Sequence, residues 1–459
     1  MVPKKVLEEV LAKALSLGGD FAEIFVEDRV STSIRMMNGS INNVISGRDY
    51  GAGIRIMKGF KCVYAYTNDV GRASLLDTAY KAACALKDSG QEIDINLSER
   101  IYTNIHPVLY VPSSVDTRKK AAIVREAYKA AKDYSPEIVQ VVAWYGDVDQ
   151  KVLIANSDGL LVEDRRIRTR LHIQSVASDG KENQTGFTGP GRSMGFEMFE
   201  TIDPEAYGRE ASRMAVTMLH ADLCPAGRMP VVIDNGFGGV IFHEACGHGL
   251  EATFVSKGHS VFAGKLGEKV ASEKVTAIDD GTIPNAWGSI NIDDEGIPSQ
   301  RKVLIEKGIL KGYMVDKLNG RRMGMAPTGS SRRQSYKYAP TSRMTNTYIA
   351  PGEDNEEDII ASTPEGLYAK EMGGGSVDPV TGEFNFAVAE AYLIKNGKID
   401  KPVRGATLIG KGSEILLKID MVGKNLDMGQ GMCGSISGSV PTNVGQPMIR
   451  VSEITVGGR

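Results

Sequence analysis

The first half of the chain runs twice through one order of segments: helix, antiparallel strands, helix. A recurrence on this scale constrains the fold more than any short motif, because each copy has the same kind of face to bury. In the first copy Val6, Leu7, Val10, Leu11, Ala14 and Leu15 recur at helical spacing over residues 3–17, and Gly18 and Gly19 stop the helix. Strand-like runs follow in "FAEIFVED", "TSIRMMNGSINNVISGR" and "GAGIRIMKGFKCVYAYTN", with Asn38-Gly39 and Lys58-Gly59 as hairpin turns. A helix over residues 70–87 closes the unit. The second copy starts with a helix over 114–132, with Ser114 as its cap. Its strands are "IVQVVAWYGDV", "QKVLIANSDGLLVEDRR" and "TRLHIQSVASDGKENQT", turning at Asp158-Gly159 and Asp179-Gly180, and a helix over 204–220 ends it. Residue identity between the copies is low, so the duplication rests on the order of elements.

"LCPAGRMP", residues 223–230, breaks any regular element and marks a boundary. Beyond it, "VVIDNGFGGVIFHEACGHGLEATFV" reads as a short strand followed by a helix. Short strands and glycine-rich turns dominate the rest. "VLIEKGILKGYM" is a hairpin across Lys307-Gly308, "FNFAVAEAYLIKNGKI" a long strand into an Asn396-Gly397 turn, and one further helix is expected near 412–422. The expected class is α+β. Residues 1–223 form a domain of duplicated helix–antiparallel-strands–helix units, and residues 224–459 a β-rich domain, barrel or sandwich, that carries the "HEACGH" helix.

Several function classes are disfavoured by composition. The 459 residues carry a formal net charge of −3 with acids and bases mixed, so no nucleic-acid partner is expected. The basic set Arg165, Arg166, Arg168 and Arg170 reads as a solvated strand face. No run of about eighteen apolar residues predicts a membrane span. The N-terminal segment is not a signal peptide, because its acidic pair interrupts the apolar core that one needs. Five scattered cysteines argue against a disulfide framework and for a reducing cytoplasm.

Chemistry concentrates in "FHEACGHGLEA", residues 242–252. The zinc-hydrolase signature H-E-x-x-H places two ligands one helical turn apart. Here His248 follows His243 by five residues, which swings the imidazoles roughly 140° apart on a regular helix. For both to bind one ion, the segment needs either a π-bulge with i→i+5 hydrogen bonding or a break near Gly247. Glu244, adjacent to a ligand, is placed to act as general base on a metal-bound water without binding the metal. A catalytic zinc site usually has three protein ligands. Cys246 is too close in sequence to both histidines for comfort, and Cys433 in "GQGMCGSISGSVP" is the better candidate. From the residues alone a buried free thiol at Cys433 is the default reading.

The chain resembles the TldD/PmbA family, once described as modulators of DNA gyrase and now regarded as metallopeptidases. The resemblance spans essentially the whole chain and is densest after residue 225. It is carried in order by "HEACGHGLEA", "DDGTIPNAWGSINIDDEG", "TGSSRRQSYKYAPTSRMTNTYIAPGE", "GLYAKEMGGGSVDPVTGEFNF", "EAYLIKNGKIDKPVRGATLIG" and "GMCGSISGSVPTNVGQP". TldD-type members keep H-E-x-x-x-H, as this chain does, whereas PmbA (TldE)-type members lack it. The resemblance implies one Zn2+ per subunit held by His243, His248 and Cys433, with Glu244 as catalytic acid/base. It also implies hydrolysis of short or unfolded peptides that reach an enclosed site. The implied assembly is a homodimer, or a heterodimer with a metal-less TldE/PmbA-type paralogue. The alternative, from another class, is a non-catalytic peptide-binding or assembly partner with a vestigial metal site.

Other candidates are weaker. His259, eleven residues after His248, is either a donor to a substrate carbonyl or a loop histidine. Arg332, Arg333, Tyr336, Arg343 and Tyr348 lie in the basic, aromatic stretch, and Arg343 and Tyr348 with His259 are taken as substrate contacts. Asp279-Asp280 and Asp293-Asp294-Glu295 lack calcium-loop spacing and read as turn and hairpin chemistry. "MGGGSVD" lacks a phosphate-loop lysine pattern.

Overall fold

Four strands of 17 to 19 residues organise the N-terminal part: Phe21–Met37, Ser40–Lys58, Ile138–Asn156 and Leu160–Ser178. The computed structural model describes residues 2–86, 94–378 and 381–458. Phe21–Met37 pairs antiparallel with both Ser40–Lys58 and Ile138–Asn156, so the two sequence copies meet in one eight-stranded sheet. At about 3.3 Å per residue such strands run roughly 55 Å, long enough for two helix pairs side by side. Helices Lys4–Leu15 and Arg72–Cys84 pack Leu7, Leu11, Leu75 and Ala79 over the Ala22–Val26 end. Helices Thr117–Lys132 and Pro204–Leu219 pack Val124, Ala127, Ala211 and Ala215 near Ile34 and Met36, at the other end.

Two local expectations change. "FAEIFVED" and "TSIRMM" are one unbroken strand, because the polar residues between them keep their ladder pairing and Asp28 is held by Arg48 at 2.7 Å. The helix cap is Asp116, whose carboxylate accepts from the Arg118 N–H at 2.8 Å; Ser114 sits in a 3-10 turn before it. The expected end of the 70–87 helix lies outside the described residues.

The C-terminal part contains a closed ring of five strands. Gly227–Ile233 pairs with Glu365–Val377 in parallel and with Ile449–Gly457 antiparallel. Ile449–Gly457 pairs with Thr407–Lys411, which pairs with Glu383–Lys395, which returns to Glu365–Val377. The fold is therefore α+β with a barrel rather than a sandwich. A six-stranded sheet beside it ends in the hairpin of Asp427–Ser435 and Gly438–Gln446. The helix expected near 412–422 is one short turn, Gly412–Ile415, extended by a 3-10 turn to Lys418. Ile419–Val422 is a strand instead, because it pairs with Ile449–Gly457. No helix among the described residues is long and apolar enough to cross a membrane.

The basic strand face is not solvated. Arg166 and Arg168 alternate on one side of their strand and are buried; only Arg165 is exposed. They face the C-terminal part, where Arg166 pairs with Asp294 at 2.6 Å. Arg55 bridges Glu23 and Glu295, each at 2.7 Å, and Arg333 reaches Glu23 at 2.6 Å. Asp293 closes its own turn by accepting from the Glu295 and Ile297 N–H groups. The acidic run is thus turn chemistry at Asp293 and inter-domain ion pairing at Asp294 and Glu295.

Candidate metal centre

The helix after Gly227–Ile233 lies against the apolar core with Ile241, Phe242, Ala245, Cys246 and Leu250. Gly239 lets it rest on the cysteine hairpin, since a Cβ there would stand 2.4 Å from the backbone of Gly445. From His243 to Gly247 the helix is π, and the His248 N–H donates to the His243 carbonyl, an i→i+5 bond. This widened turn brings His248 beneath His243, with ring centroids 5.2 Å apart. Gly247 admits the distortion beside Met344, whose sulfur a Cβ would approach to 2.3 Å. A 3-10 turn over His248–Leu250 follows, and the chain becomes extended at Glu251.

The third group arrives from far along the chain. Cys433 stands in a strand of the hairpin, paired with Val440, rather than in a free loop. One ligating atom each of His243, His248 and Cys433 lies within 4.8 Å of the others, and all three residues are buried. The Cys433 sulfur is 3.4 Å from His248 Nε2. A tetrahedral zinc with bonds of about 2.0–2.1 Å to nitrogen and about 2.3 Å to sulfur separates those ligands by roughly 3.5 Å. The buried His243 Nδ1 has no hydrogen-bond partner. Spacing, donor types and the orphaned nitrogen all fit a zinc ion.

Charge in the pocket agrees with that fit. Burial alone raises the Cys433 thiol, but the imidazoles of His243 and His248 bring it well below its ordinary value. Burial likewise opposes the charged form of His248, yet Glu251 first and Cys433 second hold it well above its usual range. The pocket therefore favours negative charge on the sulfur and positive charge beside it, a role a bound cation would take over. Burial pushes the Cys246 thiol upward, and its sulfur lies 3.6 Å from the Gly412 carbonyl. Cys246 is an inert core thiol.

Two neighbours fix the cluster, and neither role is legible from spacing. Glu251, fully buried, places Oε2 at 3.3 Å from His248 Nδ1, which leaves Nε2 to face the cysteine. Arg343 is also fully buried, on the inner side of the hairpin. It donates to Ser437 Oγ at 2.9 Å, to the Gly438 carbonyl at 2.8 Å, and to the carbonyl of Cys433 itself. The residue taken as a substrate contact is a clamp on the cysteine hairpin. Glu244 is the open side of the site: its carboxylate lies 3.6 Å from His248 Nε2 and is 29% exposed. His259 is exposed on a turn after the short helix Ala252–Val255. Tyr348 lies within the six-stranded sheet with Asp280 and Arg301 as its charged neighbours.

Comparison with known proteins gives a consistent picture. Models of the PmbA/TldA metallopeptidase match in three parts: domain 1 over residues 22–86, the central domain over 110–219 and the C-terminal domain over 226–458. A metalloprotease TldD homolog of Haemophilus influenzae is 41% identical over 452 residues, covering 96% of this chain and 93% of that one. A metalloprotease of Methanocaldococcus jannaschii is 35% identical over 449 residues, covering 96% and 98%. A Thermotoga maritima protein named as a candidate modulator of DNA gyrase shares the fold with a TM-score of 0.81 at 22% identity, covering 99% of this chain and 100% of that one. TldE of Thermococcus kodakarensis shares it with a TM-score of 0.79 at 20% identity, covering 99% and 100%.

Proposed function

The chain belongs to the TldD/PmbA metallopeptidase family, and from that premise we propose that it is a zinc peptidase acting on short or unfolded peptides. The observation that carries the reading is the convergence of His243, His248 and Cys433, two buried imidazoles and a buried sulfur from segments 185 residues apart. These residues hold one Zn2+ per subunit, which supplies Lewis acidity toward water and the scissile carbonyl. Glu244, next to a ligand yet open to solvent, takes the proton from the attacking water and returns it to the leaving amine. Glu251 orients His248, and Arg343 holds the strand that presents Cys433. The chain works as a dimer, with itself or with a metal-less relative of the TldE kind; the shared fold of a solved TldE is compatible with such pairing.

The reading is tested by incubating the purified chain with a mixture of unfolded peptides and mapping the cuts by mass spectrometry, alone and with a metal-less paralogue from the same source. Cuts that disappear with a chelator and return with zinc support it. A zinc-replete chain that binds peptides and cuts none, with or without the paralogue, favours the non-catalytic alternative.

Glu251→Gln provides a separate check on the ligand orientation. Removing a carboxylate that steadies a ligating histidine usually costs about 10- to 100-fold in metal affinity. The expected result is a loss of that size in a competition titration with a chromogenic chelator, with the melting temperature nearly kept. Unchanged zinc affinity would remove Glu251 from the site.

A further inference from the structure

A cavity of about 450 Å³ lies between the long-stranded sheet and the C-terminal part. Its volume is that of a small-ligand site. Six arginines contribute to its wall, against two acidic residues, Asp147 and Asp294. Both acids are already engaged: Asp147 by Lys120 at 2.6 Å, Asp294 by Arg166 at 2.6 Å. Besides the half-buried Arg29, three guanidiniums remain uncompensated. Arg168 donates to the carbonyls of Trp287 and Ser289, Arg332 to those of Met344 and Pro441, and Arg170 to that of Gln430. None of the three has a carboxylate within ion-pair distance among the described residues. Arg168 and Arg332 are only 6% and 3% exposed, and the buried Nε of Arg170 has no partner.

Guanidinium groups withdrawn from water without a counter-ion are costly, and backbone carbonyls offset only part of that cost. Burial first, and then neighbouring arginines, push Arg168 down to about 9 and Arg332 down to about 10. An anion placed among them relieves both effects. The rest of the wall is mostly apolar and aromatic, with Trp144, Trp287, Ile290 and Met432, and carries neutral polar side chains such as Ser33 and Gln150. A hydrated phosphate suits such walls poorly; a carboxylate on an apolar body suits them well.

We propose that this cavity binds the carboxylate of a small molecule with an apolar side chain, at a site separate from the metal centre. The two sites share one hairpin. Met432, Ser439, Val440 and Pro441 line the cavity, whereas Cys433 does not, its side chain alternating from that of Met432. Arg170, Trp287 and Arg332 donate to the carbonyls of Gln430, Gly431 and Pro441 in that hairpin. The carboxylate has two sources, the free end of a peptide or a free organic acid.

The chain's two tryptophans both line this cavity, so their emission reports its occupancy. The full-length protein is titrated with N-acetyl-leucine and with N-acetyl-leucinamide. A saturable change with the acid and none with the amide is expected. Arg170→Gln should weaken the acid by at least ~10-fold, as for loss of a charged hydrogen bond. Cys433→Ala should keep it, which separates this site from a carboxylate resting on the metal and from the peptidase reading. Tighter binding of Ala-Ala-Leu than of 4-methylpentanoate assigns the site to peptide ends; the reverse order assigns it to free acids. No saturable change, or equal responses to acid and amide, would overturn the proposal even if Arg170→Gln fails to fold. So would binding lost in a folded Cys433→Ala protein.

Discussion

Glu244→Gln is expected to leave the zinc content of the protein unchanged and to lower peptide cleavage by about 10²- to 10⁴-fold, the usual contribution of a positioned acid–base group. The two halves of this result follow from separate observations. Glu244 is not one of the three converging donors, and its carboxylate looks outward beside His248 Nε2. Glutamine keeps the size and polarity of the side chain, so the π-turn that begins at His243 has no reason to change. What it loses is the ability to accept a proton. Zinc analysis and initial cleavage rates on the same preparation give the answer. Activity within a few-fold of the parent would remove Glu244 from the mechanism.

Cys433→Ala should act on the metal instead. Removing one of three protein ligands is expected to cost more than the 10- to 100-fold attached to an outer neighbour such as Glu251. Zinc should be lost on dialysis, and cleavage should fall with it. Cys246→Ala is the internal control. Its thiol lies in the same short segment, but it is wholly buried and turned toward Gly412. Its loss opens a small cavity and should lower stability modestly while zinc stays bound. Equal zinc retention in the two variants would contradict the assignment.

The sequence carried the centre of the site because the constraint there is local. An H-E-x-x-x-H spacing on a helix cannot serve one ion unless the helix is distorted, and the flanking glycines mark where distortion is tolerated. The His248 N–H to His243 carbonyl bond is that distortion. The N-terminal order of helix, strands and helix was legible for a similar reason, since its periods are short. Long-range features were not. Arg343 sits in a basic, aromatic stretch that suggests a surface, yet its partners lie 90 to 95 residues away, where no spacing rule reaches. Arg166 and Arg168 alternate as a solvated face does, and only the C-terminal domain laid over that face buries them. Closure of the barrel depends on the parallel pairing of Val231 with Leu367, which no periodicity foretells.

The central claim is that residues from two distant segments hold a single zinc ion. Zinc per subunit, measured by elemental mass spectrometry on the intact protein after reconstitution and exhaustive dialysis, tests it most directly. One zinc per subunit in the parent and close to none in His243→Ala, His248→Ala and Cys433→Ala proteins that keep their circular dichroism is the predicted result. A parent protein that retains no zinc, or a Cys433→Ala protein that retains a full equivalent, would contradict it.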